Sequence, residues 1–250
     1  MSTQTITAAP VVEYPETDGL PMAENTKQFR WIVTIEGGLE AVYAHREDVF
    51  VAGDLFWYPV EGDSTIRIAA DIMVVFGRPK GDRSSYLQWR ENGVAPKVTF
   101  EILSPGNTKP EMQGKLEFYE EYGVEEYYIY DPEKPKLSGW RRQGRRLKPI
   151  PDMSNWTSPS LGIRFDMSQG ELRIYGPDGQ LFATYQEAVT ARDQERKEKE
   201  KERAAKESER AARESERVAK EVERAAKEKQ RERADRLAAQ LRALGIEPEE

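Results

Sequence analysis

Two acidic residues stand inside strongly apolar segments of the chain. Asp71 lies in the middle of Ile66–Phe76, and Glu101 lies within Val98–Leu103. A buried carboxylate is costly unless it is paired or bound to a cation. If the two segments form neighbouring strands, both carboxylates can converge on one divalent cation, and Mg²⁺ prefers carboxylate oxygens and water. The residues alone leave an alternative, in which Asp71 is an edge or bulge residue and Glu101 bonds to backbone.

A lysine follows Glu101 at a spacing that suits the same site. Glu111, Lys115 and Tyr119 are four residues apart in a predicted helix, so they lie roughly on one face. If that face meets the ends of the strands, Lys115 reaches the site. A water activated by the metal would then attack a phosphodiester bond, and Lys115 would orient that water or stabilise the developing charge. The alternative is an ion pair between Lys115 and Glu111.

The surrounding pattern combines strands with one helix. A T-x-x-E capping box at Thr108 and Glu111 predicts a helix that runs to about Tyr122 and ends at Gly123. The order of elements favours an α/β or α+β class. Strands are predicted at Phe29–Ile35 (where a helix start is also open), Ile66–Phe76, Val98–Leu103, Glu126–Asp131, Leu137–Arg142, Arg146–Ile150, Leu161–Phe165 and Leu172–Tyr175.

The C-terminal part of the chain is a charged repeat. No Gly or Pro occurs from Leu181 to Leu244, and Glu stands four residues before Lys or Arg in each heptad of residues 202–229. Such pairs stabilise helices, so we predict one helix of ~60 residues and roughly 90 Å, terminated by Gly245 and Pro248. It is interpreted as a coiled coil, an isolated charged helix or a nucleic-acid arm. We favour a protruding helix that self-associates through its Leu-containing end, within residues 190–245.

Composition divides the chain and excludes some chemistry. The predicted units are an N-terminal arm at 1–27, a domain at 28–180 and the long helix at 181–250. Of 38 basic and 45 acidic residues, 18 and 17 follow residue 190, so the acidic excess lies before it.

The absence of Cys excludes disulfides and cysteine nucleophiles. No apolar run approaches the ~20 residues of a membrane span, and we expect a soluble cytoplasmic protein.

A basic cluster is a second candidate contact surface. Arg141, Arg142, Arg145 and Arg146 lie close together in a predicted hairpin. They could bind DNA phosphates despite the acidic balance of the domain. The alternative is a solvated turn.

The sequence from His45 to about Phe165 resembles the Uma-type restriction endonuclease family, part of the PD-(D/E)XK nuclease superfamily. No single segment is specific, but the combination is. The matching segments are AADIMVVFG (69–77), VTFEILSPGNT (98–108), EMQGKLEFYEEYGVEEYYIYDP (111–132) and SPSLGIRF (158–165).

The resemblance implies a restriction-endonuclease-like central mixed sheet flanked by helices, with Mg²⁺ or Mn²⁺ as cofactor and DNA as substrate. Asp71 and Glu101 match the metal-binding acids of the family, and Lys115 matches its helix lysine. Two positions depart from the superfamily pattern: Ala70 precedes Asp71 where Pro is common, and Leu103 stands where the D/E-x-K motif has Lys. Catalysis therefore depends on Lys115.

These observations predict a Mg²⁺-dependent DNA endonuclease. The rival hypothesis is an inactive nuclease fold that oligomerises or docks partners through its C-terminal helix. An upstream acid could complete the metal site, and the candidates are Glu40, Glu47 and Asp48.

Overall fold

The computed structural model describes residues 12–17, 19 and 22–243. Within them, the chain forms three α-helices, nine strands and a short 3₁₀ turn at Gln88–Glu91. In chain order the helices and strands are α1 (Thr26–Val42), β1 (Val49–Tyr58), β2 (Ile68–Phe76), β3 (Tyr86–Leu87), β4 (Val98–Ile102), α2 (Lys109–Glu121), β5 (Glu126–Asp131), β6 (Lys136–Gln143), β7 (Arg146–Pro149), β8 (Arg164–Asp166), β9 (Arg173–Tyr175) and α3 (Tyr185–Ala243).

Seven of the described strands form one mixed sheet in the order β3-β1-β2-β4-β5-β6-β7. The β1–β3 and β4–β5 pairs are parallel, and the other neighbours are antiparallel. A parallel pair requires a crossover connection, and α2 supplies it between β4 and β5. Strands β8 and β9 pair with each other outside this sheet. The predicted α/β class, with a central mixed sheet flanked by helices and a long C-terminal helix, is confirmed.

The two faces of the sheet carry separate cores. On one face, Ile35 and Leu39 of α1 pack with Ile72 of β2 and Phe100 of β4. On the other face, Tyr119 of α2 packs in a cluster that includes Met73, Tyr127 and Trp57. Because side chains alternate along a strand, the even-numbered residues of β4 belong to the first core, and its odd-numbered residues point toward α2.

The strand predicted at Phe29–Ile35 is wrong, because this segment lies in α1. Asn25 caps the helix, with its side chain accepting from the backbone N–H groups of Lys27 and Gln28 at 3.0 and 2.9 Å. Ile32, Ile35 and Leu39 are buried at helical spacing. The run of β-branched residues favours a strand locally, but burial of one helical face prevails. The other predicted strands are confirmed, although the one predicted at Leu161–Phe165 is observed at Arg164–Asp166.

The N-terminal arm predicted at 1–27 lies partly outside the described residues, which omit 1–11, 18, 20 and 21. The described part contacts the sheet. The ring of Tyr14 packs 5.2 Å from that of Tyr58 and 5.0 Å from that of Trp89. Its hydroxyl accepts from the Gly62 N–H at 2.6 Å, so this stretch is held against β1 and the loop that follows.

The chain divides into two compact units, Met1–Glu187 and Ala188–Glu250. Most of α3 belongs to the second unit, and its 59 residues correspond to roughly 88 Å. In five successive pairs, a basic side chain binds the Glu four residues before it at 2.5–2.6 Å; the pairs are Glu195–Lys199, Glu202–Lys206, Glu209–Arg213, Glu216–Lys220 and Glu223–Lys227. The predicted long helix is confirmed.

The C-terminal end of α3 and its self-association are not tested by the described residues. Its predicted terminators, Gly245 and Pro248, and the last leucine of its Leu-containing end, Leu244, lie outside the described residues. Self-association through residues 190–245 stays a prediction. Across the part of the chain that the structure describes, no helix combines the length and apolarity needed to cross a bilayer.

Candidate active site

Glu101 is a carboxylate held inside the protein by two side chains of α2. Phe100 and Ile102 point to the α1 face, so Glu101 points to the opposite face, where it is only 2% exposed. Lys115 Nζ donates to Glu101 Oε2 at 2.7 Å, and the Tyr119 hydroxyl donates to Oε1 at 2.5 Å. Residues four apart in a helix share a face. The structure therefore brings Lys115 to Glu101.

Glu111, the alternative partner of Lys115, is used in the helix cap. Thr108 and Glu111 form the predicted capping box, in which the Thr108 hydroxyl accepts from the Glu111 N–H and the Glu111 carboxylate accepts from the Thr108 N–H. This cap fixes the start of α2. The helix then ends before Gly123, whose φ of 98° is the left-handed conformation that glycine adopts readily.

Asp71 lies on the strand next to Glu101, where β2 and β4 separate. The ladder between the two strands ends at Ile72 and Phe100. Beyond this point, the Ile102 N–H of β4 has a side chain of β2 as its acceptor in place of a backbone carbonyl. It donates to Asp71 Oδ2 at 2.6 Å. The carboxylate of Asp71 is thus bound to the residue that directly follows Glu101. Because β2 lies between β1 and β4, Asp71 is not on an edge strand.

The site holds its two acidic groups away from solvent. Burial, and next the charge of Glu101, raise the pKa of Asp71 to about 8, against the lowering effects of the Ile102 N–H and Lys115. Burial also raises the pKa of Glu101, although Lys115 and Tyr119 oppose this. Burial alone would lower the pKa of Lys115, but the attraction of Glu101 outweighs it and the pKa is raised. Lys115 is therefore an ammonium at neutral pH.

The three upstream acids considered from the sequence lie near the other end of β2; they are Glu40, Glu47 and Asp48. The Gly77 N–H donates to the Asp48 carbonyl at 2.7 Å, and Lys80 Nζ donates to Glu40 at 2.8 Å. Gly77 is six residues beyond Asp71, which corresponds to about 20 Å along a strand. The structure does not bring these acids to the site.

Asp54 is an acidic residue of β1 that lies level with Asp71 of the neighbouring strand β2. The register of β1 against β2 places it opposite Asp71, and its charge contributes to the raised pKa of Asp71. Its φ of 47° lies in the left-handed region, which is uncommon for a residue other than glycine. Sequence reasoning missed Asp54 because its position opposite Asp71 depends on the register of the hairpin.

The donor set suits a hard cation that keeps much of its water. Among the residues that the structure describes, no group of three or more His, Cys, Asp or Glu side chains is arranged to hold a metal ion. Asp71 and Glu101 supply two carboxyl groups that repel each other when both are ionised, and a divalent cation would relieve this repulsion. Mg²⁺ is commonly bound by one or two carboxylates plus water, whereas Zn²⁺ sites use three or four protein ligands. The two acids therefore fit Mg²⁺.

Arg142, one of the four arginines predicted to contact DNA, binds the end of α2. Its Nε donates to the Val124 carbonyl at 2.8 Å, and its Nη2 donates to the carbonyls of Glu120 at 2.6 Å and Tyr119 at 3.2 Å. The last carbonyls of a helix lack partners within it. Arg142 thus stabilises the helix that carries Lys115.

The other three arginines of this cluster are exposed at the β6–β7 hairpin; they are Arg141, Arg145 and Arg146. Arg146 pairs with the Glu120 carboxylate at 2.9 Å, and its side chain is 73% exposed. A DNA-phosphate role for the four arginines stays a prediction.

Glu126 is a second buried acid, which sequence reasoning did not single out. It is 1% exposed at the start of β5. Its Oε2 accepts from the hydroxyls of Tyr128, at 2.7 Å, and Ser158, and its Oε1 accepts from the Ser160 N–H at 2.9 Å. All three donors are uncharged, so Glu126 ties the segment around Ser158 to the sheet. An acid at the head of an apolar strand was the signal that could have found it.

The chain belongs to the Uma2 family, whose model, described as "Putative restriction endonuclease", matches residues 21–174. It is also similar to the crystal structure of "a putative nuclease belonging to DUF820" from Anabaena variabilis ATCC 29413. That match has a TM-score of 0.43 and 16% identity, and covers 62% of this chain and 81% of the other. No curated protein was found to match the chain.

Proposed function

We propose that this chain is a Mg²⁺-dependent DNA endonuclease, with Mn²⁺ as an alternative cofactor. The observation that carries the proposal is the contact of 2.7 Å between Lys115 Nζ and Glu101 Oε2, because it supplies the lysine that is missing at Leu103. Asp71 provides a second carboxylate near Glu101, because it accepts from the N–H of Ile102, the residue that follows Glu101 along β4. Membership of the Uma2 family supports a nuclease, and DNA is its expected substrate.

In this proposal each residue has a defined role. Asp71 and Glu101 would hold the metal ion. When bound, the ion supplies a Lewis acid that polarises the phosphodiester and increases the acidity of water. Lys115 remains charged and would stabilise the negative charge that develops on the phosphate, or orient the attacking water. Tyr119 and the Ile102 N–H keep the two carboxylates in place.

The test is cleavage of supercoiled plasmid by the full chain in Mg²⁺ or Mn²⁺. We expect nicked or linear product with either metal and none in EDTA. Asp71→Asn should lower the rate on the order of 10²-fold or more. The matched control is Asp82→Asn, an exposed aspartate in the turn after β2, which should cut like the wild type. If the wild type never cuts, or Asp71→Asn cuts equally well, the chain is not this enzyme, and the inactive interaction module gains support.

We expect the affinity of the site for Mg²⁺ to rise with pH up to about 8. The pKa of Asp71 is about 8, so at pH 7 this carboxyl is mostly protonated, and metal ligation must displace its proton. Affinity should therefore fall by up to about tenfold for each pH unit below 8. Calorimetric titration in two buffers of different protonation enthalpy measures the effect as release of about one proton at pH 7. Equal affinities at pH 6 and pH 8.5 would argue against it.

A further inference from the structure

Tyr119 is fixed inside the protein by aromatic neighbours. It is fully buried, and its ring stacks on that of Trp57, with 6.4 Å between centroids and 5° between planes. The ring of Tyr127 lies 4.9 Å away on the sheet. Close packing of this kind holds a side chain in one rotamer. The hydroxyl therefore has a set position, 2.5 Å from Glu101 Oε1.

The two oxygens of Glu101 consequently have different partners. Tyr119, a neutral donor, binds Oε1, and Lys115, a cation, binds Oε2. A metal ion would replace the ammonium at Oε2, because one cation can take the place of another beside the same oxygen. At Oε1 it would have to displace a hydroxyl that cannot move away from its packed position.

Asp71 shows the same restriction independently. Its Oδ2 accepts from the Ile102 N–H at 2.6 Å, and that donor belongs to the backbone of β4. Each acid of the site thus has one oxygen engaged by a rigid protein donor. Such an arrangement favours ligation through one oxygen per carboxylate. Mg²⁺ accepts this, since it demands near-octahedral geometry and keeps its waters, whereas Ca²⁺ takes six to eight oxygens and often binds carboxylates through both.

We propose that Tyr119 is a positioning residue that restricts Glu101 to ligation through Oε2 and thereby selects Mg²⁺ over Ca²⁺. The inference rests on the proposed metal site. It assigns the choice of metal to a residue that need not touch the metal itself. The phenolic proton is the only feature that this role needs, since the ring is held by packing.

The test compares the Mg²⁺ and Ca²⁺ dissociation constants of the full chain, by calorimetry at pH 8.5, for the wild type and Tyr119→Phe. The variant keeps the ring and removes the hydroxyl. We expect the wild type to bind Mg²⁺ more tightly than Ca²⁺, and the variant to shift the ratio of the two constants about tenfold toward Ca²⁺. A thermal melt checks that the fold is retained.

Tyr127→Phe is the matched control. Tyr127 lies on the same face and is also fully buried, but its hydroxyl has no hydrogen-bond partner among the described residues. A role in packing alone predicts the same metal ratio for both variants, whereas our proposal predicts a change only at Tyr119.

The outcomes separate this inference from the proposed function. If the wild type binds Mg²⁺ and Tyr119→Phe keeps its ratio, only the role of Tyr119 is overturned. A wild type that binds Ca²⁺ more tightly than Mg²⁺ overturns it without any variant. If the wild type binds neither ion, both the inference and the proposed metal site are overturned.

Discussion

Replacing Lys115 by methionine should slow DNA cleavage strongly and, at the same time, tighten the binding of Mg²⁺. The Lys115 ammonium lies 2.7 Å from Glu101 Oε2, so it neutralises the carboxylate that a metal ion would use. A divalent cation has to compete with this ammonium and is repelled by its charge. Methionine removes both effects and keeps a similar apolar stem. It also removes the cation that would stabilise the transition state.

We expect the cleavage rate to fall on the order of 10²–10³-fold and the dissociation constant for Mg²⁺ to fall about tenfold. Plasmid cleavage and calorimetry at pH 8.5 measure the two effects on the same protein. Lys109→Met, in the exposed first turn of α2, is the control for metal binding and should leave the constant unchanged. If Lys115→Met still cuts DNA, the lysine is not catalytic. If its affinity for Mg²⁺ is unchanged, Lys115 and the metal do not share an oxygen of Glu101.

Among the substitutions considered, Glu126→Ala should produce the largest decrease in the free energy of unfolding. The substitution leaves three donors without an acceptor: the buried hydroxyls of Tyr128 and Ser158 and the partly buried N–H of Ser160. A buried unsatisfied group costs ~1–3 kcal/mol, and a cavity adds to this. We expect the free energy of unfolding to fall by roughly 3–6 kcal/mol. The segment around Ser158 should loosen first.

Urea unfolding followed by tryptophan fluorescence reports on the first unit, because all five tryptophans precede residue 190. The control is Glu125→Ala. Glu125 adjoins Glu126 but is half exposed, and it pairs with Lys97 at 3.3 Å, so the change should cost less than about 1 kcal/mol. Equal losses in the two variants would show that the buried network contributes nothing beyond a surface ion pair.

The sequence predicted those features that depend on neighbouring residues. The strands carrying Asp71 and Glu101 were recognisable from apolar runs, and the capping box at Thr108 identified the start of α2. Helical spacing then placed Lys115 and Tyr119 on one face. The segment Phe29–Ile35 was predicted as a strand, with a helix start left open, because local β propensity in residues 32–35 opposes a helix that tertiary burial stabilises.

Features that depend on long-range pairing could not be predicted. Asp54 faces Asp71 only through the register of a hairpin. Arg142 binds the end of α2 from 22 residues away in sequence, and Glu126 accepts from Ser158 over 32 residues. No periodicity encodes such contacts. They decide whether a charged residue is available to a substrate or is engaged in holding the fold together.

The parallel β4–β5 pair has a consequence for the order in which the protein folds. It joins two parts of the sheet, β1–β2–β4 and β5–β6–β7, whose other pairs are antiparallel. Hairpins such as β1–β2 and β5–β6 close short loops and form early, while a parallel pair must wait for its crossover. Glu101 lies on this pair, and Lys115 and Tyr119 lie on the crossover. We therefore expect metal-binding competence to appear in the last kinetic phase of refolding, after most of the β-structure has formed.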